Sequence, residues 1–236
     1  MTNDDARPRL ILWDIDHTLI ETRGAGGEFA RAAFEEITGI RPEEMADANG
    51  KTERVILAES LRAHGIEPTD EHQQRYAQAL PAQYQQHADH LRERGRALPG
   101  AAAAIAALAQ VPGVIQTVLT GNYKAVAATK LQTFTLDSRL DFEVGAYADD
   151  GAERADLVQV AQRRAADKYG RPFTHQNTIV IGDTTHDVAA AHNGGARIVA
   201  IASGNDSAER LRAAGADRVF NDLTDTIAVT DAVASK

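Results

Sequence analysis

The stretch RLILWDIDHT, residues 9–18, carries most of the information about how this chain folds. It begins with an apolar run typical of a strand buried on both faces of a sheet. It continues with two carboxylates two positions apart, Asp14 and Asp16. A solvated strand end would explain one acidic residue there. The alternative is that the strand delivers both carboxylates to one reaction centre, and the remaining sequence has to decide between these interpretations.

The composition is that of an ordinary globular protein. Of the 236 residues, 43% are hydrophobic and 25% are charged. A net charge of −9 argues against nucleic acid as a partner, and the absence of cysteine excludes disulfides and thiolate metal sites. The N-terminus has no apolar stretch after a basic segment, and no run of about 18 apolar residues occurs. We therefore expect a cytoplasmic protein without a membrane partner.

Short apolar runs alternate with helical patterns along most of the chain. This alternation predicts a parallel sheet covered by helices on both faces, and hence a doubly wound α/β fold. The predicted strands are residues 9–14, 114–120, 177–183 and 197–203, with a weaker strand at 217–222.

Residues 23–96 break this rhythm, because they carry amphipathic helical patterns and no convincing strand. We predict that 1–22 and 97–236 form the α/β core and that 23–96 form an inserted all-helical domain. The last helical stretch of the insertion is expected to be interrupted near Pro81.

Polar side chains follow three of the predicted strands. The first strand ends in Asp14 and Asp16, the second in Thr120, and the third in Asp183. Because the carboxyl ends of parallel strands share one edge of a sheet, we expect these side chains to meet although they span most of the chain.

Three short motifs lie at these strand ends: DIDHT (14–18), LTGN (119–122) and GDTTHD (182–187). In this order, they resemble the DxDxT, hydroxyl-bearing and GDxxxD motifs of the haloacid dehalogenase superfamily of aspartate-nucleophile phosphohydrolases, near its phosphoglycolate phosphatase-like group. The resemblance covers about residues 9–203, and the helical insertion stands where that family has its cap domain.

The resemblance implies a mechanism. Asp14 would be the nucleophile that forms an aspartyl-phosphate, and Asp16 the general acid and base, for which clustered carboxylates suggest a raised proton affinity. Mg²⁺ would offset the charge of the carboxylates and the phosphate. The implied ligands are Asp14, Asp183 and the backbone carbonyl of Asp16, with Asp187 in support.

Phosphate would be bound by the Thr120 hydroxyl and by the amides after it, at Gly121 and Asn122. The family also has a basic residue near the phosphate, for which two candidates stay open. Arg154 in GAERADL fits by position in the sequence, and Lys130 in ATKLQ fits by residue type.

Two further positions bear on the substrate. A GKT-like segment of the cap faces the active site in similar proteins, which makes Lys51 and Thr52 candidate substrate contacts. His17 stands where the family most often has glycine, and it either fills a turn or touches the substrate.

Together these features predict a Mg²⁺-dependent phosphatase that acts on a small phosphorylated metabolite. The alternatives are a sugar-phosphate mutase of the same superfamily and a catalytically weak binding or regulatory protein on this fold.

Overall fold

The computed structural model describes residues 8–234. The outermost residues of the predicted core, 1–7 and 235–236, lie outside this range. Within it, no helix is long and apolar enough to cross a membrane.

Seven strands form in the described range. They are β1 (Arg9–Trp13), β2 (Ile20–Glu21), β3 (Arg96–Ala97), β4 (Val114–Val118), β5 (Thr178–Gly182), β6 (Arg197–Ile201) and β7 (Arg218–Phe220).

The helices of the same range are α1 (Ala25–Thr38), α2 (Glu53–Ala63), α3 (Asp70–Gln86), α4 (Ala88–Arg94), α5 (Ala101–Leu108), α6 (Lys124–Thr133), α7 (Arg154–Tyr169), α8 (Thr185–Gly194), α9 (Ala208–Ala213) and α10 (Thr226–Ala234). A short 3₁₀ turn spans Ala148–Asp150.

Five strands form one parallel sheet in the order β4-β1-β5-β6-β7. The predicted doubly wound α/β fold is therefore confirmed, and each predicted core strand is present with slightly shorter bounds. The chain passes from β1 to β4 on one side and later to β5 on the other, so the strand order reverses at β1. Ligands bind at such a switch point, beyond the carboxyl ends of the strands.

Successive residues of β1 face opposite sides of the sheet, as the pleat requires. Ile11 and Trp13 pack with α5 and α10, whereas Leu10 and Leu12 pack with α7 and α8. All four side chains are fully buried. This burial on both faces explains why the strand reads as a continuous apolar run.

The predicted insertion is helical, with α1–α4 inside residues 23–96. Its entry and exit lie side by side, because β2 pairs antiparallel with β3 and joins Ile20 to Ala97. The helices bury an apolar cluster of their own, which includes Phe34 and Tyr76 and extends to Tyr123 on the core. The division into a core and a cap domain stays our prediction, and α1–α4 are called the cap below.

The predicted interruption at Pro81 is wrong. Pro81 lies inside the continuous helix α3, and the break comes at His87, which separates α3 from α4. A proline removes one backbone hydrogen bond from a helix. Here the neighbouring side chains Leu80 and Tyr84 are buried in the cap cluster, and this packing holds the helix together.

Candidate active site

The carboxyl ends of β1, β4 and β5 bring three predicted site residues to one edge of the sheet. Asp14, Thr120 and Asp183 directly or nearly follow these strands and are almost completely buried. All three line a cavity of about 560 Å³ between the core and the cap. A cavity of this size suits a small-molecule ligand.

Three carboxylates form the acidic centre of the cavity. One oxygen each of Asp14, Asp183 and Asp187 lies within 4.8 Å of the others. Hydroxyl groups of the loops hold two of them: Thr18 Oγ1 donates to Asp183 Oδ1 at 2.9 Å, and the Thr184 hydroxyl donates to Asp187 Oδ2 at 2.7 Å.

The charges of this trio are poorly compensated by the protein. The pKa of Asp14 is raised to about 7, mainly by burial and next by the charge of Asp187. Burial, followed by the charges of Asp14 and Asp187, raises the pKa of Asp183 to about 9. Three buried carboxylates, whose negative charge the protein offsets only in part, are suitable ligands for a hard divalent cation such as Mg²⁺.

Arg154, the first residue of α7, is the cation beside this trio. Its Nη2 donates to Asp14 Oδ1 at 3.2 Å and also to Asp187 Oδ1. Its Nε is buried and has no hydrogen-bond partner among the described residues. Arg154 therefore links the candidate nucleophile to a candidate metal ligand and keeps one N–H available for a further acceptor.

Lys130 binds Asp16, the other carboxylate of the first motif. Its Nζ donates to Asp16 Oδ1 at 2.8 Å, to Asp16 Oδ2 at 2.7 Å and to Asn122 Oδ1 at 2.7 Å. Asn122 Nδ2 in turn donates to Asp16 Oδ2 at 2.8 Å and to Thr120 Oγ1 at 2.7 Å. The structure thus brings together both cations that the sequence left open, each on a different aspartate.

The raised proton affinity expected at Asp16 is wrong. Burial would raise the pKa of Asp16, but the Lys130 ammonium and the hydrogen bonds from Asn122 and Lys130 outweigh burial and hold the pKa below its ordinary value. The raised pKa values belong instead to Asp14 and Asp183. The Asp16 carboxylate is also absent from the metal-compatible trio of the described residues, and its expected contribution through the backbone carbonyl stays a prediction.

A comparison with protein-family models identifies the family of this chain. The model described as haloacid dehalogenase-like hydrolase matches residues 11–192, which include all three motifs. The chain belongs to the haloacid dehalogenase-like hydrolase family. A comparison with curated proteins found no match.

Solved structures of similar architecture cover nearly the whole chain. A hydrolase from Pseudomonas syringae is 25% identical, with a TM-score of 0.69 over 97% of this chain and 100% of that one. A predicted phosphoglycolate phosphatase from Haemophilus somnus is 17% identical, with a TM-score of 0.64 over 94% and 98% of the two chains. CbbY from Rhodobacter sphaeroides, in complex with phosphate, is 20% identical, with a TM-score of 0.69 over 95% and 100%. The last two likenesses show the shared fold alone.

The second motif of this family member lines the cavity with Thr120, Gly121 and Asn122. The Thr120 hydroxyl accepts a hydrogen bond from the Asn122 N–H at 3.2 Å, which tightens the loop before α6. Gly121 is needed for close approach of the cap, because a Cβ there would lie 2.3 Å from the carbonyl oxygen of Lys51.

The two cap residues chosen from the sequence take different positions. Lys51 lines the cavity, but its Nζ forms an ion pair with Glu59 at 2.6 Å. Thr52 is fully buried, and its hydroxyl donates to the Ala152 carbonyl at 3.3 Å, so it joins the cap to the core. Their roles as substrate contacts stay predictions, and the geometry favours Lys51 over Thr52.

His17 lies at the exposed rim of the cavity with a φ of 61°. This left-handed conformation explains the glycine that the family most often has at the position, since glycine adopts it without strain. Histidine is among the residues that tolerate it better than most.

The sequence interpretation missed Glu53 and Tyr84, both of which line the cavity from the cap. Glu53 directly follows the GKT segment, a signal that could have been used. Tyr84 had no such signal, because its placement under Lys130, with Nζ 5.2 Å from the ring centroid, depends on how α3 packs against α6.

Proposed function

We propose that the protein is a Mg²⁺-dependent phosphatase that hydrolyses a small phosphomonoester through an aspartyl-phosphate on Asp14. One observation carries this proposal: Asp14 stands in a buried acidic trio beside Arg154, whereas Asp16 lies apart, paired with Lys130. This arrangement separates a group that can attack phosphorus from a group that can handle protons.

The first half-reaction forms the bond between a carboxylate oxygen of Asp14 and phosphorus and breaks the bond between phosphorus and the ester oxygen. Arg154 holds Asp14 and uses its free Nε–H for a phosphate oxygen, together with the Thr120 hydroxyl. Asp14, Asp183 and Asp187 would hold Mg²⁺, which when bound supplies charge neutralisation for the phosphate.

The departing alkoxide needs a proton, and Asp16 would supply it. Lys130 stabilises the charged form of Asp16 and holds the pKa of Asp16 below its ordinary value. Binding of a phosphate dianion nearby adds negative charge and favours uptake of a proton by Asp16. In the second half-reaction Asp16 accepts a proton from water as water attacks phosphorus and releases Asp14.

The test is release of inorganic phosphate from a panel of sugar phosphates, nucleoside monophosphates and phosphoglycolate. We expect release that requires Mg²⁺, stops with chelator and is abolished by Asp14→Asn, which removes the nucleophile with little change in volume. Isomerised sugar phosphate without free phosphate would instead indicate a mutase. Release that survives Asp14→Asn would contradict the proposal.

A further inference from the structure

The cap contributes a carboxylate to the cavity that has no role in the chemistry described above. Glu53 is the first residue of α2, and its backbone N–H donates to the Gly121 carbonyl at 2.8 Å. This bond fixes the start of α2 directly over the second motif. The side chain lines the cavity and is only partly accessible.

Among residues 8–234, the Glu53 carboxylate makes no hydrogen bond and no ion pair, although Lys130 is one of its electrostatic neighbours. The three hydrogen bonds of Lys130 Nζ all go to Asp16 and Asn122. Burial raises the pKa of Glu53 to about 7, in keeping with a carboxylate that the protein solvates poorly. A partly accessible carboxylate without a protein partner can accept a hydrogen bond from a donor that a ligand brings.

The position of Glu53 indicates which part of a ligand would meet it. Glu53 lines the cavity from the cap, whereas the acidic trio and Thr120 line it from the core. Because the proposed phosphate site lies on the core side, a group that reaches the cavity from the cap would meet the leaving group rather than the phosphate. The charges of Lys130 and Asp16 act on Glu53 from the same cavity.

We propose that Glu53 selects the leaving group, by accepting a hydrogen bond from a hydroxyl or ammonium group close to the ester oxygen. The substrate class is therefore the phosphomonoesters of polyhydroxy or amino alcohols. A leaving group that carries a carboxylate at this point is disfavoured, because two carboxylates would meet with little solvent between them. This inference rests on the proposed phosphatase function and deepens it.

The test compares esters that differ at the leaving group. Glycerol 3-phosphate and ethanolamine phosphate carry a hydroxyl and an ammonium donor, propyl phosphate carries neither, and phosphoglycolate carries a carboxylate. We expect kcat/KM for one of the donor esters to exceed that for propyl phosphate by about tenfold or more, which is typical of a hydrogen bond to a charged group. We expect kcat/KM for phosphoglycolate to be lower than kcat/KM for propyl phosphate.

Two substitutions locate this preference. Glu53→Leu should lower kcat/KM for the donor esters to the value for propyl phosphate. Propyl phosphate itself should still be hydrolysed. Glu53→Gln keeps an acceptor but no charge. It should lower kcat/KM for ethanolamine phosphate more than kcat/KM for glycerol 3-phosphate. The matched control is Glu67→Gln on the same cap, an exposed glutamate outside the cavity lining, which should behave as the unchanged protein.

Each alternative outcome can be told apart. Turnover of p-nitrophenyl phosphate, whose leaving group needs no donor or acid, reports whether the chemistry itself is intact. If every variant hydrolyses it and Glu53→Leu keeps the donor preference, the role of Glu53 is contradicted and the phosphatase proposal stands. A wild-type preference for phosphoglycolate would also overturn the role of Glu53. If the unchanged protein hydrolyses none of these esters, both proposals fail.

Discussion

Lys130 and Asp16 form an ion pair that joins α6 to the first motif, with Nζ 2.8 Å from Oδ1 and 2.7 Å from Oδ2. Two positions earlier, Asp14 faces Arg154 and two further carboxylates instead. The pKa of Asp16 is consequently held low, whereas burial and neighbouring charge raise the pKa of Asp14 to about 7. Neighbouring carboxylates with different environments suit separate roles in one reaction.

Replacing Lys130 tests the importance of this pair. We expect Lys130→Met to lower kcat/KM by about 10- to 100-fold, because Asp16 loses the group that orients it. The variant should also be less stable by about 1–3 kcal/mol, because Lys130 is buried and its removal leaves the Asn122 carbonyl oxygen without its donor. Steady-state kinetics would show the effect. Lys168→Met, which removes the ion pairs of Lys168 with Asp141 and Glu143 away from the cavity, is the control and should keep full activity.

Asp183 should make the metal-free protein less stable as the pH rises. Its pKa is about 9 in the folded protein and 3.8 ordinarily. Between these values the unfolded chain has lost the proton that the folded protein still binds, so stability falls with rising pH and the loss is complete above about 9. Asp183→Asn removes this titration.

We therefore expect Asp183→Asn to become increasingly stable relative to the unchanged protein between about pH 4 and pH 9. Denaturant unfolding in the presence of chelator measures the difference. Asp89→Asn, at an exposed site, should show no such trend. A difference for Asp183→Asn that is constant across this pH range would show that the pKa of Asp183 is not raised in the folded protein.

Tyr76 offers a test of an unpaired hydroxyl. Its side chain is fully buried in the cap cluster, and its hydroxyl has no partner among the described residues. Tyr76→Phe should stabilise the protein by about 1 kcal/mol, because it removes a buried polar group that lacks a hydrogen bond. Tyr147→Phe should act in the opposite direction, since that hydroxyl donates to the Phe142 carbonyl at 2.8 Å. Thermal unfolding of the two variants distinguishes them, and a melting temperature lowered by both would count against the prediction.

Gly50 tests how the cap sits on the core. Its φ is 66°, and a Cβ there would lie 2.2 Å from Cγ of His186 on α8. Gly65 has a similar φ of 72°, but a Cβ there meets nothing within 4 Å. Both alanine substitutions carry a backbone cost of about 1 kcal/mol. Only Gly50→Ala should also displace the cap loop and reduce kcat/KM, so equal activity of the two variants would refute this contact as a determinant of cap position.

The fold and the meeting of Asp14, Thr120 and Asp183 could be predicted from the sequence. Alternation of strands and helices makes the sheet parallel, and a parallel sheet places these strand ends on one edge. The motifs therefore needed only their order along the chain to be located in space.

The order of the motifs does not predict which aspartate Lys130 and Arg154 each contact. Whether Lys130 or Arg154 reaches Asp14 depends on the orientation of α6 and α7, which spacing alone does not determine. The low pKa of Asp16 follows from that pairing and was missed with it. Glu53 and the continuous helix through Pro81 likewise depend on how the cap packs, because the cap helices have no motif that fixes their contacts.

The proposed reaction passes phosphate through a covalent bond to Asp14, and that bond can be trapped. Asp16→Asn should be able to accept a phosphoryl group from acetyl phosphate, whose leaving group needs no proton, but should release it slowly for lack of a base. After acid quenching and digestion, mass spectrometry should find the phosphoryl group on the peptide that contains Asp14, and the Asp14→Asn/Asp16→Asn double variant should lack it. A phosphoryl group on another residue, or turnover of acetyl phosphate with Asp14 unmodified throughout, would show that Asp14 is not the nucleophile.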